Sequence, residues 1–580
     1  MRLSVCARLL LPAACLFLGA ASLGSRETVD PWVERTLKSL TLEKKIAQLV
    51  CPDIATGYIA EGDPRLAHWD SLAKVWGVGM FVLYGGTPRD VAHLLNRLQR
   101  ESAVPLLISA DFEGGPGQQV TGATEYPPNM AFAAAGSAEL MYRATSAAAV
   151  EGRAMGIHLT YTPVVDVSVR PENPAEAGRS FGGNFALMSE LIPAYVRGYH
   201  DHGMLATAKH FPGRGDAEPM PDNAPWTWNP KSVDQLRAQE FRNFKIGIDA
   251  GVDFVMTEHI AVPAATGGST LPASMESKLA VGWLRDSLGF KGILTTDDLW
   301  YAWVVNRFGA EEAALRAFEA GHDIMLKPKD PVAVIKAMAA AVRSGRINEK
   351  RIDDAVRRLL TLKAKLKLNS IRLVDENMVN ALVGTPAHLA IAQEVADRSM
   401  TLLRNDGILP VAAGVLAHTV NINVEKTDGD PSPSQLAGKL TATFPGMASY
   451  TLTPNMDPAQ YERIMPAVAA ADLVIISMFV QRDRAGSATP VRPADLAFLQ
   501  RVVAAKPHAV LVMSFGNPHL VRTLPAAPAF ITGYGERGWY GNQPVYFDSF
   551  IKLLKGDLKP TAKLPIDAGP GFPIGTGLTY

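Results

Sequence analysis

The segment Thr207–Asp222, TAKHFPGRGDAEPMPD, concentrates the residue types that do chemistry. Lys209 and His210 leave a short apolar run, Gly203-Met-Leu-Ala-Thr-Ala, together. Pro212, Gly213 and Gly215 then break the chain into a loop that carries Asp216, Glu218 and Asp222. Similar wording recurs elsewhere. Pro105–Ser109 runs into Asp111 and Glu113, and His158–Val165 runs into Asp166 and, further on, Arg179. Asp253–Met256 runs into Glu258 and His259, and Gly292–Thr296 into Asp297 and Asp298. Any one of these could be a solvated turn or a helix cap, a role that Asp298 before Leu299-Trp300 would suit. So many together point to one shared polar pocket in which carboxylates, imidazoles and cations face a bound molecule.

The elements that must position them are apolar strands alternating with helices. The strand-like runs are Gly77–Leu83, Pro105–Ser109, His158–Val165, Met204–Ala208, Asp253–Met256, Gly292–Thr296 and His322–Leu326. Between them lie Ala-rich, Arg/Glu-bearing stretches such as Glu139–Arg153 and Glu311–Ala320. Continuous apolar strands in repeated β-α units imply a parallel sheet, and this many in succession imply a (β/α)8-type TIM barrel with its chemistry at the C-terminal strand ends. A doubly wound open sheet is the alternative, but no Gly-rich phosphate fingerprint follows the first strand. Asp30–Val50 has the spacing of an amphipathic helix, with a start signal at Thr41. Arg351–Lys367 reads as a basic helix and Leu368–Asn380 as a connection. A second α/β region opens near Ala387, with strand candidates at Leu416–Ile422, Leu473–Met478, Ala509–Ser514 and Ala529–Thr532. The expected organisation is a signal segment over 1–25, a barrel over 26–368, a linker over 369–386 and an α/β sandwich over 387–580.

Composition narrows the class of partner. The 580 residues are 47% hydrophobic and 20% charged, with a net charge of +0, which is globular and carries no nucleic-acid footprint. A small neutral or weakly charged molecule is the expected partner, and no cofactor is implied. Arg2, Arg8, the apolar Leu9–Leu18 run and the small residues after it follow the order of a secretory signal peptide, so the expected location is secreted or periplasmic. Cys15 raises a lipid-anchor reading, but it sits in the middle of the apolar run. With Cys6 and Cys15 removed alongside the signal, Cys51 is the one remaining thiol, expected to be buried and inert. The histidines lack metal-ligand spacing, so no metal is expected; a Mg²⁺ site at Asp297-Asp298 is the competing class, distinguished by sensitivity to a chelator.

Several segments together resemble glycoside hydrolase family 3. They are Ser39-Leu-Thr-Leu-Glu-Lys-Lys-Ile-Ala-Gln-Leu, Asp111-Phe-Glu-Gly-Gly, Gly178-Arg-Ser-Phe-Gly, Lys209-His-Phe-Pro-Gly, Thr296-Asp-Asp-Leu, Ser399-Met-Thr-Leu-Leu-Arg-Asn-Asp-Gly-Ile-Leu-Pro and Phe572-Pro-Ile-Gly-Thr-Gly-Leu-Thr-Tyr. The resemblance implies a barrel followed by an αβα sandwich, and cleavage of β-glycosidic bonds with retention. Lys209-His-Phe-Pro-Gly and Asp297-Asp-Leu look most like the bacterial β-N-acetylglucosaminidases, which release terminal N-acetylglucosamine, often from cell-wall fragments. Carried over residue by residue, the resemblance makes Asp297 the nucleophile. It places Asp111, Arg179, Lys209 and His210 on the sugar hydroxyls and His259 in the pocket.

The chain departs from that branch at the proton donor. There the Lys-His-Phe-Pro-Gly loop continues to a histidine acid/base, whereas Ala224 stands in its place here, Arg214 replaces a frequent histidine, and Gln119 replaces a common arginine. In other branches a glutamate of the second domain is the acid/base, but Phe479-Val-Gln-Arg-Asp-Arg-Ala-Gly-Ser contains none. Three readings follow. The chain is an active glycosidase whose acid/base is Asp222 or Glu218, with N-acetylglucosamine, glucose or another sugar as substrate. It uses an external nucleophile such as phosphate, for which acid assistance matters less. Or it is a non-catalytic sugar binder.

Overall fold

The computed structural model describes residues 30–580 apart from 57, 58, 61, 169–176, 220–225, 413, 426–428, 481–490 and 536–542. The signal segment and Asp222 therefore lie outside the described residues. Twelve strands fall in the first part of the chain. They are β1 (Val50–Cys51), β2 (Asp53–Ala55), β3 (Met80–Tyr84), β4 (Leu107–Ala110), β5 (Leu159–Thr160), β6 (Leu205–Phe211), β7 (Glu218–Pro219), β8 (Thr227–Trp228), β9 (Phe254–Thr257), β10 (Ile260–Ala261), β11 (Ile293–Thr296) and β12 (Met325–Leu326). Parallel pairing runs β11-β9-β6-β5-β4-β3-β2. A bridge from Thr295 to Ile324 joins β11 to the start of β12, and β12 pairs with β1, so the ring closes. β1 and β2 form one stave interrupted at Pro52, which cannot donate to a ladder. That proline is also why this stave is hard to read as a strand from sequence. Short β7, β8 and β10 make a separate three-stranded sheet in the loops.

Apart from β2, whose Asp53 and Ala55 are exposed, strands of this ring such as β3, β4 and β11 are buried on both sides, which is why they read as unbroken apolar runs. The helices predicted at Glu139–Arg153 and Glu311–Ala320 form as Ala138–Ala154 and Ala310–Ala320. The expected single helix over Asp30–Val50 is two, Pro31–Ser39 and Leu42–Gln48, because Thr41 accepts a hydrogen bond from the Lys44 N–H and starts a new helix. Cys51 is buried, its Sγ 3.8 Å from the Tyr161 hydroxyl, and burial pushes the thiol up to about 12.

The second sheet has the order β13-β18-β17-β16-β14-β15, from β13 (Thr401–Asn405), β14 (Thr419–Glu425), β15 (Ala448–Leu452), β16 (Leu473–Phe479), β17 (Val510–Ser514) and β18 (Ala529–Thr532). All pairs are parallel except β13 with β18. The β13 edge is covered by the C-terminal tail, where the Leu578 N–H donates to the Leu402 carbonyl at 2.8 Å. β14 starts later than its apolar run suggests, because Val415–His418 forms a 3-10 turn first. β13 and β15 are the strands that the apolar runs did not announce.

One apolar cluster runs unbroken from barrel helices through Val395 and Ile475 to Phe550, and a second fills the opposite face of the sheet. Polar latches join the two parts. Buried Glu151 accepts from the Thr124 N–H at 2.8 Å and the Gly384 N–H at 3.0 Å, and lies 2.7 Å from His388 Nδ1. Gln543 Nε2 donates to the Tyr126 carbonyl at 2.7 Å. A chain ended after Leu368 is thus expected to expose a large apolar face and to aggregate or fold poorly. Size-exclusion chromatography and thermal melting of that truncation check this; a soluble, fully active barrel would contradict it.

Candidate active site

The C-terminal ends of the barrel strands deliver their polar side chains to one mouth. β4 ends at Ala110 and hands on Asp111 and Glu113, after which the chain turns through Gly115. That glycine has φ 77°, and a Cβ there would meet the Tyr126 ring at 2.5 Å, so no other residue fits. β6 carries Lys209 and His210 inside a register shift between Ala208 and Phe211, an irregularity of the kind that re-aims side chains. β9 hands on Glu258 and His259, and β11 hands on Asp297 and Asp298.

Along one wall, cations and carboxylates alternate. Lys209 Nζ lies 2.7 Å from Asp111 Oδ1 and 2.7 Å from Glu113 Oε1. Arg179 grips Glu113 through two bonds of 2.7 Å, a bidentate pair, and its Nη2 lies 3.3 Å from His210 Nε2. The other ring nitrogen of His210, Nδ1, donates to Asp166 Oδ2 at 2.7 Å, which leaves Nε2 the acceptor when the ring is neutral. Asp166 also accepts from the backbone N–H groups of His210 at 3.1 Å and Arg214 at 2.7 Å, so it pins the start of the Pro212–Gly215 loop. Burial alone would push Glu113 up and Lys209 down. The Arg179 and Lys209 charges win at Glu113 and hold it well below the usual carboxylate range, while Asp111 and Glu113 hold Lys209 above the usual lysine range.

Asp297 is buried at the floor. Its Oδ1 accepts from the Asp298 N–H at 2.7 Å. Burial raises its pKa, but the His210 and His259 rings, that N–H and Arg214 together hold it below the ordinary range. Asp298 shifts the other way, because burial and the Asp297 charge outweigh its Lys327 partner at 2.8 Å. Within the pair Asp297 therefore ionises first and Asp298 last. Asp298 caps no helix, since the next one begins at Ala302; its carboxylate takes Lys327 and the Trp300 Nε1–H at 3.1 Å instead. Lys327 Nζ lies 4.5 Å above the Tyr84 ring and 4.8 Å from the centre of the exposed Trp300 ring, which fixes this side of the mouth.

Of the residues singled out in the sequence, Asp111, Arg179, Lys209 and His210 fall into one bonded network. His259 stands beside Asp297, its Nδ1 2.7 Å from Ser274 Oγ and its Nε2 3.1 Å from the Asp298 carbonyl, edge-on to Tyr301 and Trp303. Glu218 sits half-buried on β7, opposite Trp228 of β8. Among the described residues the carboxylate that approaches Asp297 together with His210 is Glu258: an oxygen of each acid and a ring nitrogen of His210 lie within 4.8 Å of one another. Glu113, Asp166 and Glu258 stood among the strand-end groups of the expected pocket without a role of their own, and Lys327 was not singled out. A signal for Glu258 is present in the sequence, because Thr257-Glu258 and Thr296-Asp297 end consecutive barrel strands with the same Thr-acid pair.

The His210, Glu258 and Asp297 donors have the makeup of a metal site, but two guanidinium groups already occupy it electrostatically. Arg179 stands 3.3 Å from His210 Nε2 and Arg214 Nη1 stands 3.2 Å from Glu258 Oε2. A divalent cation would have to enter between them. Nor does Asp297-Asp298 converge, since Asp298 turns to Lys327. The donors suit a ligand with many hydroxyls.

Comparison with known proteins agrees with this geometry. Residues 41–362 match the glycosyl hydrolase family 3 N-terminal domain. The chain is 29% identical over 554 residues to a beta-N-acetylglucosaminidase/beta-glucosidase of Cellulomonas fimi, spanning 93% of this chain and 95% of that protein. It is 28% identical over 554 residues to beta-hexosaminidase A of Pseudoalteromonas piscicida, spanning 87% of this chain and 91% of the relative. Among solved structures, a glycoside hydrolase family 3 beta-N-acetylglucosaminidase from Paenibacillus sp. str. FPU-7 superposes with a TM-score of 0.77 at 30% identity, covering 91% of this chain and 99% of the other. A beta-glucoside phosphorylase, BglX, superposes with a TM-score of 0.79 at 24% identity over 93% of this chain and 96% of that one, a likeness of fold.

Proposed function

Since the chain belongs to glycosyl hydrolase family 3, we propose that it is an exported, retaining exo-β-glycosidase that removes a terminal N-acetylglucosamine, with Asp297 as nucleophile. The observation that carries this reading is the setting of Asp297: a buried carboxylate, its pKa held below the ordinary range by its neighbours, at the floor of a mouth walled by paired cations and acids. Retaining hydrolysis needs such a group to attack the anomeric carbon and form a glycosyl ester, which water then opens. Asp111, Lys209, Arg179 and His210 would orient the sugar through its hydroxyls, and His259 would line the floor. The choice of sugar is supported by the relatives named beta-N-acetylglucosaminidase and beta-hexosaminidase. Export is supported by the order of the first 25 residues, and no helix among the described residues is long and apolar enough to cross a membrane.

Aryl β-glycosides of N-acetylglucosamine, glucose and xylose, each assayed with and without a chelator and with and without phosphate, test the reading. The expected outcome is preferred release from the N-acetylglucosaminide, unchanged by the chelator, with free sugar as product. A sugar phosphate as product would make phosphate the acceptor. Sugar binding without release from any of the three would make the chain a binder.

A further inference from the structure

The reaction proposed above needs a proton donor, and the loop that would carry it has alanine at 224. On that reading, we infer that Glu258 is the acid/base of this enzyme. β9 and β11 are neighbours, paired Thr257 to Thr296, so the next residues, Glu258 and Asp297, stand side by side. The ladder continues past both strand ends: the Asp297 N–H donates to the Thr257 carbonyl at 2.8 Å, and the Glu258 N–H to the Phe211 carbonyl at 2.8 Å. Neighbouring strands lie about 4.8 Å apart, and side chains at paired positions point the same way. The two acids accordingly bring carboxylate oxygens within 4.8 Å, with a His210 nitrogen at the same spot. Retaining glycosidases hold their two carboxyl groups about 5–5.5 Å apart, and inverting ones about 6.5–9.5 Å. The approach of the pair is too close for the inverting arrangement and lies on the short, retaining side.

The two acids have different partners. Asp297 is surrounded by groups that keep it ionised. Glu258 Oε1 accepts from the His259 N–H at 2.8 Å, and Oε2 faces Arg214 at 3.2 Å without an aligned hydrogen bond among the described residues. Both acids also reach the phenol of the partly exposed Tyr301, which the Asp297 charge first, then burial, then Asp298 and Glu258 push up. Glu258 thus lies with the nucleophile beneath Tyr301, both acids buried at the floor of the mouth.

In the first step the Asp297 carboxylate attacks C1. The bond from C1 to the glycosidic oxygen breaks with its electron pair on that oxygen, and protonated Glu258 donates its proton there, so the aglycone leaves as an alcohol. In the second step the Glu258 carboxylate takes a proton from water as the water oxygen attacks C1. Asp297 then leaves as carboxylate and Glu258 is protonated again.

The test is Glu258→Ala, assayed on an unactivated disaccharide and on a dinitrophenyl glycoside, with and without azide. Disaccharide turnover should fall about 10²–10⁴-fold. The dinitrophenyl glycoside should stall at the glycosyl-enzyme and be released by azide, which needs no deprotonation, as the β-glycosyl azide. Glu258→Gln, nearly isosteric, should show the same loss on the disaccharide and serves if the alanine variant does not fold. Equal losses on both substrates, no azide product, or the same pattern arising instead from Glu218→Ala or Asp222→Ala would overturn the assignment. A merely structural ion pair predicts that Arg214→Ala and Glu258→Ala behave alike on both substrates. If the parent enzyme cleaves none of these glycosides, the glycosidase reading falls and this one falls with it; if the parent cleaves them, only Glu258 is in question.

Discussion

Asp297→Asn is expected to lower kcat by a factor on the order of 10⁴–10⁶, the scale seen when an enzyme's nucleophilic unit is removed. The amide has the shape of the carboxylate and its oxygen still accepts from the Asp298 N–H, so the fold is retained. What disappears is the charge that attacks C1. A 2-fluoro glycoside should label Asp297 in the parent and nothing in the variant, as read by peptide mass. Labelling of another residue, or a variant with more than about a hundredth of parental turnover, would refute the assignment, since either lies far outside the expected loss. Stability has a sign of its own. The folded pKa of Asp297 lies below the unfolded value of about 3.9, so its contribution is full above that value and is lost as pH falls through the folded one. The asparagine variant has no such acid-side loss. It also removes a negative charge that helps push Asp298 up, which offsets part of the stabilisation lost with the Asp297 carboxylate, so any deficit in its neutral-pH melting temperature should shrink as pH falls.

Lys209→Met is expected to act on stability as much as on activity. Lys209 is buried between Asp111 and Glu113, and removing it leaves buried negative charge with Arg179 as the cation bonded to Glu113. Breaking a buried pair by deleting one partner costs about 3–5 kcal/mol, because the remaining charge is desolvated and uncompensated. Turnover should fall with it, since the network and the sugar contacts proposed for it lose their centre. The pH dependence separates this from general damage. In the parent, Glu113 is depressed, so its contribution holds above the unfolded glutamate value and fades as pH falls through the folded one. Lys209 is raised, so its contribution holds below the unfolded lysine value and fades as pH rises through the folded one. The parent should therefore be flat through neutrality. Without Lys209 the Glu113 pKa rises toward or above its unfolded value, and the variant should lose less on mild acidification than the parent does. Melting temperatures from pH 4 to 8 check this; parallel curves for parent and variant would rule out the charge argument.

The sequence by itself determined the repeating strand–helix order and the gathering of Asp111, Arg179, Lys209, His210, His259 and Asp297 at the strand-end mouth. It could do so because each of those residues directly follows or ends an apolar run, or stands in a short family-like segment, and both kinds of signal are local. The first stave was hidden because Pro52 splits it, and β13 and β15 because Thr401–Asn405 and Ala448–Leu452 mix polar and apolar residues at a sheet edge. Tertiary structure alone decided the partners. Asp298 looked like a helix cap until Lys327, from the next stave, came within 2.8 Å of it. Asp166 and Glu113 were visible as strand-end acids, but their partners His210 and Lys209 became known only when β6 brought them together. Glu258 and Asp297 were both visible as strand-end acids, but their pairing rests on register: a slip of one residue between β9 and β11 would turn one carboxylate away from the other. Register is set by the closing of the whole ring, and no stretch of sequence contains it.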